Sequence, residues 1–482
     1  MLNKKNKKKL SNFVKFIKQK RMQSLFLGLI LFYGFLLRVL KLDYMSMWID
    51  ETISASAAKA ILSSGLPLFE TGYVYARAWL FHYFMSFFIW VFGGDFGARF
   101  ISVIFGVLTI YLAYLFGQRF FKGYFGKFAF ALLIALSLWE VVYSKQARFY
   151  QAFQFFYFLS FYLFYKFVIL KEKYFSKRVL DYISLVIVVL LAIHLQFMGY
   201  AIVPLLFLTF VIHNFSKDLF KKWWFWGFLG LSLIVGVYLV INLVPEIVMP
   251  RVNLYLLNYF YNYFGEITLG LLALLGLIIS LYKSPKPHLS LALYTLLPVF
   301  GLIFMKYFAT RYAFFMVFAV FFYVVALFNE VKFKYLLFVL FIVLQSSLFV
   351  FTGVGMVDYD ASMPVADYKE AYNYIEGNVS LHSFPLVVTW SPAAYWYYGS
   401  ADYQINYSLS GTGTGFWRAH EGGVGERFLG AVVVNSADDL PSEYVLVIDA
   451  QSRRKIPRGR FDFSECYELF SSYSIKVLKC SS

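Results

Sequence analysis

Residues 78–92 read Ala78-Trp-Leu-Phe-His-Tyr-Phe-Met-Ser-Phe-Phe-Ile-Trp-Val-Phe92, an apolar run with aromatic side chains on every side. It is either a membrane span or a helix lying in the interface, and the choice sets the side of every later loop. Taken as interfacial, it leaves the basic head Lys4–Arg21 and the loops Arg119–Lys127, Lys166–Arg178, Lys217–Lys222, Lys283–Lys286 and Lys332–Lys334 on one face of the bilayer. Those five loops carry fifteen Lys and Arg, against six (Arg99, Lys145, Arg148, Arg251, Lys306, Arg311) at the opposing positions after Phe92 and up to the last span. Lys and Arg accumulate on the cytosolic side of membrane proteins. Taken as a span, the same stretch would invert that bias. The interfacial reading is adopted.

Outward from that stretch, the composition is that of a multi-span membrane protein: 60% hydrophobic and 15% charged, with 58 Phe and 39 Tyr among 482 residues. Soluble domains carry about a quarter charged residues. Eleven spans are expected, near Ser24–Leu40, Gly97–Gly117, Phe128–Tyr143, Phe153–Leu170, Tyr182–Met198, Tyr200–Ile212, Trp223–Val244, Ile267–Tyr282, Leu289–Met305, Tyr312–Phe328 and Tyr335–Phe351. Tyr200–Ile212 is short for a ~30 Å hydrocarbon core at ~1.5 Å per residue. The head is too long and the first run too extended for a cleaved signal, and no small-residue cleavage site follows. The formal charge of +17 sits in patches between apolar runs. That pattern orients a chain in a bilayer and does not point to nucleic acid.

The expected organisation is a cytosolic head (1–23), a membrane domain (24–352) with a large first outer loop (41–96), and a small outward α/β domain (353–482). After about Asp358 the apolar runs thin out and Asp, Gly and Ser increase. Ala366–Glu376 reads as an amphipathic helix, and Phe384–Trp390, Tyr444–Ala450 and Tyr473–Lys479 read as strands. The result is an integral plasma-membrane protein with its N-terminus in the cytosol and its C-terminal domain outside. Cys466 and Cys480 are the only cysteines, able to pair if that domain faces an oxidising compartment. CxxC and HExxH motifs are absent, which leaves no built-in structural zinc site.

Charged groups near a bilayer cost a few kcal/mol unless they serve a site or reach water. Asp50 and Glu51 lie about nine residues beyond the first span, just ahead of the helical-looking Ser54–Ala60. One reading is a helix-start acid pair favoured by the dipole; the other is a general base for an acceptor hydroxyl. Arg148 and Tyr150 stand where the third span emerges, and Lys306, Arg311 and Tyr312 stand between the ninth and tenth. Guanidinium grips phosphate through two parallel hydrogen bonds; the plainer role for these clusters is anchoring at headgroup depth. Arg77 opens the interfacial stretch, with phosphate binding and surface anchoring as its two readings. Glu140, near the outer end of a span, is a functional candidate, and so are His82 and Arg99, although His82 fits a packed role better. The glycines of Gly411-Thr-Gly-Thr-Gly415 resemble a phosphate cradle but follow no convincing strand. Asn378-Val-Ser380 and Asn406-Tyr-Ser408 match the glycosylation acceptor pattern.

Taken together, Trp48-Ile-Asp-Glu51, Phe92-Gly-Gly-Asp-Phe-Gly-Ala-Arg99, Tyr143-Ser-Lys-Gln-Ala-Arg-Phe-Tyr150 and the pair Arg311-Tyr312 resemble the polyprenyl-phosphate-dependent membrane glycosyltransferases of the GT-C superfamily. The branch is that of the protein O-mannosyltransferases and lipid A aminoarabinose transferases, the family 39 type. The likeness covers about residues 24–328, and the tail resembles outward domains that some members append. It implies that Asp50 is the catalytic acidic residue of the first outer loop, with Glu51 its neighbour. Arg77 falls where some members carry a phosphate-contacting lysine, but the proline often beside it is replaced by Ala78-Trp79. Relatives differ in their use of a divalent metal, and no ligand set here fixes one.

The implied partners are a polyprenyl-phosphate sugar donor, a protein, glycan or lipid acceptor, and membrane lipid. Such a donor already carries a good leaving group. It needs cations to hold the phosphate charge, and Arg148, Lys306 and Arg311 are placed to supply them. Asp50 would take the acceptor's proton in a one-step displacement that inverts the anomeric centre, without the close carboxylate pair of retaining hydrolases. A transporter or lipid flippase is the alternative, but no inverted repeat or pair of Gly/Pro-broken central helices is present.

Overall fold

The stretch around residues 78–92 forms helix α3, Trp79–Phe92, in the computed structural model. Fourteen residues make about 21 Å of helix, short of the ~30 Å a span needs. It buries Phe81, His82, Met85, Ser86 and Ile89 and exposes Trp79, Phe84, Phe87 and Trp90. Gly93 and Gly94, both at positive φ (75° and 37°), turn the chain sharply into helix α4, Gly94–Phe120. A Cβ at Gly97 would lie 2.5 Å from the Phe88 carbonyl, so the returning helix packs flush on α3. A reporter fused just after Phe92 is therefore expected to read as non-cytosolic, matching one fused after Asp43. A cytosolic signal at Phe92 would make α3 a span and invert the layout.

The structure describes residues 4–216, 221–243, 267–302, 310–351, 366–389, 397–405, 430–449, 461–472 and 475–481. They fall into two compact units. One comprises Met1–Leu40, Val103–Ser144 and Tyr150–Thr352; the other comprises Lys41–Ser102, Lys145–Phe149 and Gly353–Ser482. The first long loop thus groups with the C-terminal region rather than with the membrane helices to which its sequence position assigns it.

In the first unit a helix occupies each expected span. They are α1 (Lys4–Val39), α4, α5 with α6 (Phe125–Leu136 and Leu138–Ser144), α7 (Tyr150–Phe164), α8 (Arg178–Leu195), α9 (Ile202–Asn214) and α10 (Trp223–Leu243). Helices Ile267–Lys283, Pro285–Leu302, Met316–Glu330 and Lys334–Phe351 complete the set. Among the described residues, five spans are long and apolar enough to cross a membrane alone, and α5 with α6 makes a sixth if the pair counts as one. The other five expected spans fall short by that measure. The short Tyr200–Ile212 reaches 18 residues because a 3-10 turn, Phe197–Ala201, runs straight into α9. Pro204 sits in the first turn of α9, where no intrahelical N–H is needed. With this many apolar helices, the chain is an integral membrane protein.

The span over Phe128–Tyr143 is bent by 57° at Ser137. Arg38, fully buried, fills the break: its guanidinium donates to the carbonyls of Ile134 and Ala135, to the Gly34 carbonyl and to Ser144 Oγ, each at 3.0 Å. The Ile134 and Ala135 carbonyls are among the orphan acceptors that the C-terminus of α5 leaves. Rings fill much of the remaining core, with Phe318 4.3 Å from Phe158 and 4.8 Å from Phe130 between centroids. Helices Ile267–Lys283 and Met316–Glu330 cross at Gly276, where a Cβ would overlap the Tyr323 carbonyl at 1.8 Å.

In the second unit six strands form one mixed sheet, ordered β3-β2-β1-β4-β6-β5: Leu386–Val388 (β1), Tyr403–Ile405 (β2), Val432–Val434 (β3), Glu443–Asp449 (β4), Tyr467–Ser472 (β5) and Ile475–Ser481 (β6). The first four are parallel, and β6 pairs antiparallel with both β4 and β5. Because side chains alternate along a strand, β4 sends Val445 and Val447 under helix Tyr368–Gly377 and Tyr444, Leu446 and Ile448 into a second core on the other face. The helix and three strands read from sequence are present. β2, β3 and β5 are additions: two span three residues each and carry no clear alternation. Cys466 and Cys480 form a disulfide.

Candidate active site

Helix α2 (Ile49–Ser64) begins at the acid pair. Its Ala-rich body favours helix, and Gly65, at φ 78°, ends it by donating to the Ile61 carbonyl. Ile53 and Ala57 pack on Phe69 and Tyr75, which fixes the helix against the rest of its loop. Asp50 and Glu51 therefore both lie in the first turn, at the positive end of the helix dipole.

The two carboxylates are not equivalent. Glu51 is buried, and Arg99 donates Nε to its Oε1 at 2.9 Å and Nη2 to its Oε2 at 3.1 Å. The Ala147 amide adds a 2.6 Å bond to Oε1, and the Trp48 amide caps Oε2 at 3.3 Å. A guanidinium has five N–H donors, and Arg99 spends the other three on the Leu42, Met45 and Ser46 carbonyls at 2.8, 2.8 and 3.2 Å. Every donor of Arg99 is engaged within the protein, and nothing is left to offer a substrate phosphate.

Asp50 keeps 20% of its side chain exposed and lies 3.7 Å from the buried Arg148 Nη2. Arg148 Nη1 also donates to the Asp50 carbonyl (3.0 Å) and to Ser54 Oγ (2.6 Å), one helical turn on, and approaches the Tyr75 hydroxyl at 3.5 Å. Ser102 Oγ holds the Arg148 carbonyl at 3.0 Å. The guanidinium lies 4.6 Å from the Phe149 ring centre, and the exposed Arg77 lies 5.0 Å from the same ring. One phenyl ring thus gathers two cations beside an open carboxylate.

Of the other expected residues, His82 is fully buried with its ring 5.3 Å from Tyr75, in a packing position. Glu140 belongs to the first unit. It is fully buried and receives Gln151 Nε2 at 3.1 Å and Gln154 Nε2 at 2.7 Å. Tyr150 packs edge-on to Tyr143 in that unit, at 6.0 Å. Arg311 and Tyr312 form a 3-10 turn there, with the Tyr312 ring 5.8 Å from Phe197. Lys306 lies outside the described residues, as do the Gly411–Gly415 run and Asn406. Among the described residues no three His, Cys, Asp or Glu side chains converge as a metal cage.

Sequence reading missed Ser54, Tyr75 and Phe149. Ser54 had a signal, since it stands four residues after Asp50 on a helix. Tyr75 and Phe149 had none, because only folding brings the 145–149 segment against α2.

No protein-family profile and no curated protein sequence matches the chain. By structure it is similar to ArnT, the aminoarabinose transferase of Cupriavidus metallidurans, in the apo state: TM-score 0.58, 12% identity, covering 96% of this chain and 98% of that one. Against ArnT bound to undecaprenyl phosphate the TM-score is 0.55 at 12% identity, over 95% and 97% of the two chains.

Proposed function

From the GT-C membrane-glycosyltransferase fold, we propose that the chain transfers one sugar from a polyprenyl-phosphate donor to a hydroxyl-bearing protein, glycan or lipid acceptor. The reaction takes place at the non-cytosolic face of the plasma membrane. The observation that carries this reading is the part-exposed Asp50 carboxylate held by buried Arg148, beside a second guanidinium on Phe149.

In the displacement, the acceptor oxygen bonds to C1 of the sugar as the bond from C1 to the phosphate oxygen breaks. The acceptor proton goes to Asp50, the general base. The electron pair leaves with polyprenyl phosphate, and the anomeric centre inverts. Arg77, exposed and stacked on Phe149, is the cation assigned to the departing phosphate. Arg148 holds Asp50, and Arg99 with Glu51 builds the wall behind it. Arg311, Tyr312 and Lys306 are kept as contacts for the lipid phosphate.

An apolar cavity of about 610 Å³ between α7, α8, α9 and α10, lined by Tyr182, Val186, Leu190, Phe207 and Phe210, suits the prenyl tail. Burying such a chain is favourable by about 0.8 kcal/mol per CH₂. The bound undecaprenyl phosphate of the ArnT structure supports the same class of lipid.

Membranes carrying the chain, incubated with a panel of undecaprenyl- and dolichyl-phosphate sugars, are expected to release polyprenyl phosphate from at least one donor. Failure with every donor and acceptor extract tried would remove the proposal.

A further inference from the structure

The loop that delivers Asp50 to the site is gripped from two sides. Its carbonyls at Leu42, Met45 and Ser46 go to Arg99. Four further hydrogen bonds join it to residues more than 300 positions away. The Met47 amide donates to the Tyr398 hydroxyl at 2.7 Å, and that hydroxyl donates onward to Asp95 Oδ2 at 3.2 Å. Ser46 Oγ donates to Asp367 Oδ1 at 2.6 Å and accepts the Lys369 amide at 3.0 Å. Lys369 Nζ reaches the Asp43 carbonyl at 3.2 Å and Asp95 at 3.3 Å. On the far end of α2, Lys59 Nζ donates to the Tyr397 carbonyl at 2.9 Å and sits 3.9 Å from that ring's centre.

Met47 is fully buried and Asp95 nearly so. Desolvation, with Asp95 adding to it, pushes the Tyr398 phenol well above its ordinary range, so it stays a hydroxyl at any working pH. That matters because only the protonated form serves both neighbours, as acceptor from Met47 and donor to Asp95. Met47 lies three residues before Asp50 and one before the residue that caps α2.

We infer that the C-terminal domain is a working part of the active site: through Tyr398, a positioning residue, it fixes the Met47–Glu51 segment and so the reach of Asp50. The inference rests on the glycosyl-transfer reading for its kinetic arm only. A residue that places the base without touching substrate affects the transition state more than donor binding. A displacement of about 1 Å at a reacting group costs on the order of a hundredfold in rate.

The test uses full-length protein in nanodiscs, as wild type and Tyr398→Phe, with Ser46→Ala as a second variant should the first fold poorly. In hydrogen exchange, the peptide spanning residues 45–52 is expected to exchange at least about tenfold faster in Tyr398→Phe, with the sheet unchanged. Equal exchange overturns the clamp whatever the activity. With a donor that wild type turns over, kcat is expected to fall between about tenfold and a hundredfold. KM for that donor, and binding of undecaprenyl phosphate alone, are expected to stay within about threefold. An unchanged kcat, or a loss confined to KM, overturns the positioning role. If wild type turns over no donor, the functional reading fails and the exchange arm still decides the clamp.

Discussion

Asp50→Asn is expected to lower turnover by a factor on the order of 10² to 10⁴, the range a positioned general base supplies. That corresponds to about 3–5 kcal/mol of transition-state stabilisation. The substitution keeps the side-chain volume and leaves the Asp50 carbonyl to Arg148 Nη1. Helix α2 therefore stays seated, and the size-exclusion profile and melting point remain near wild type. Initial rates of polyprenyl-phosphate release at saturating donor give the measurement. Binding of undecaprenyl phosphate should change little, because Arg77 is the cation assigned to it. Wild-type turnover in Asp50→Asn would withdraw the site assignment, since no other carboxylate in the cluster is both exposed and paired with a cation.

The second large effect falls on stability. Arg99→Ala leaves Glu51 buried without its counter-ion and takes the donor from three loop carbonyls. Breaking a buried pair from one side costs about 3–5 kcal/mol, and each orphaned acceptor adds to it. Arg99→Lys is expected to rescue little. An ammonium brings three donors on a flexible stem where the site uses five in a planar fork. The expected outcome is a fall in the melting temperature of detergent-solubilised protein for both variants, together with loss of protection over residues 42–52. Glu51→Gln keeps one oxygen for the Ala147 amide and Arg99 Nε but sets an amide NH₂ against the Trp48 amide and Arg99 Nη2. It should be less damaging than Arg99→Ala. An Arg99→Lys protein that melts with wild type would mean that the fork geometry contributes little.

These two predictions divide a dipeptide that looks uniform in sequence. Asp50-Glu51 was legible as a helix-start acid pair and as a candidate general base, and the structure gives its two carboxylates different surroundings. Glu51 caps the helix and pairs with Arg99; Asp50 keeps the opening. Nothing in the local sequence separates them, because what separates them is Arg99, 48 residues on. The membrane helices were legible because each lies in an apolar run of sequence, a local signal that needs no knowledge of its neighbours. The helix Trp79–Phe92 was legible as an apolar run, and its interfacial placement is the expectation drawn from charge asymmetry, a property of the whole chain.

What stayed hidden is of one kind. Arg38 lies within an apolar run and looks like a snorkelling end residue, yet it fills the break between α5 and α6. Tyr398 and Asp367 look like ordinary surface residues of a small α/β domain, yet they grip the loop before Asp50. Arg99 reads as a functional candidate until its five donors are counted. In each case the partner is more than 45 residues away or is a backbone carbonyl, and backbone carbonyls leave no trace in side-chain pattern.

The most direct measurement is an experimental map of the protein with undecaprenyl phosphate bound. The account predicts phosphate density within hydrogen-bond reach of Arg77, on the open side of the Asp50 carboxylate, with the prenyl chain entering between membrane helices. Phosphate density remote from Asp50, with the Asp50–Arg148 pair facing closed protein, would contradict it.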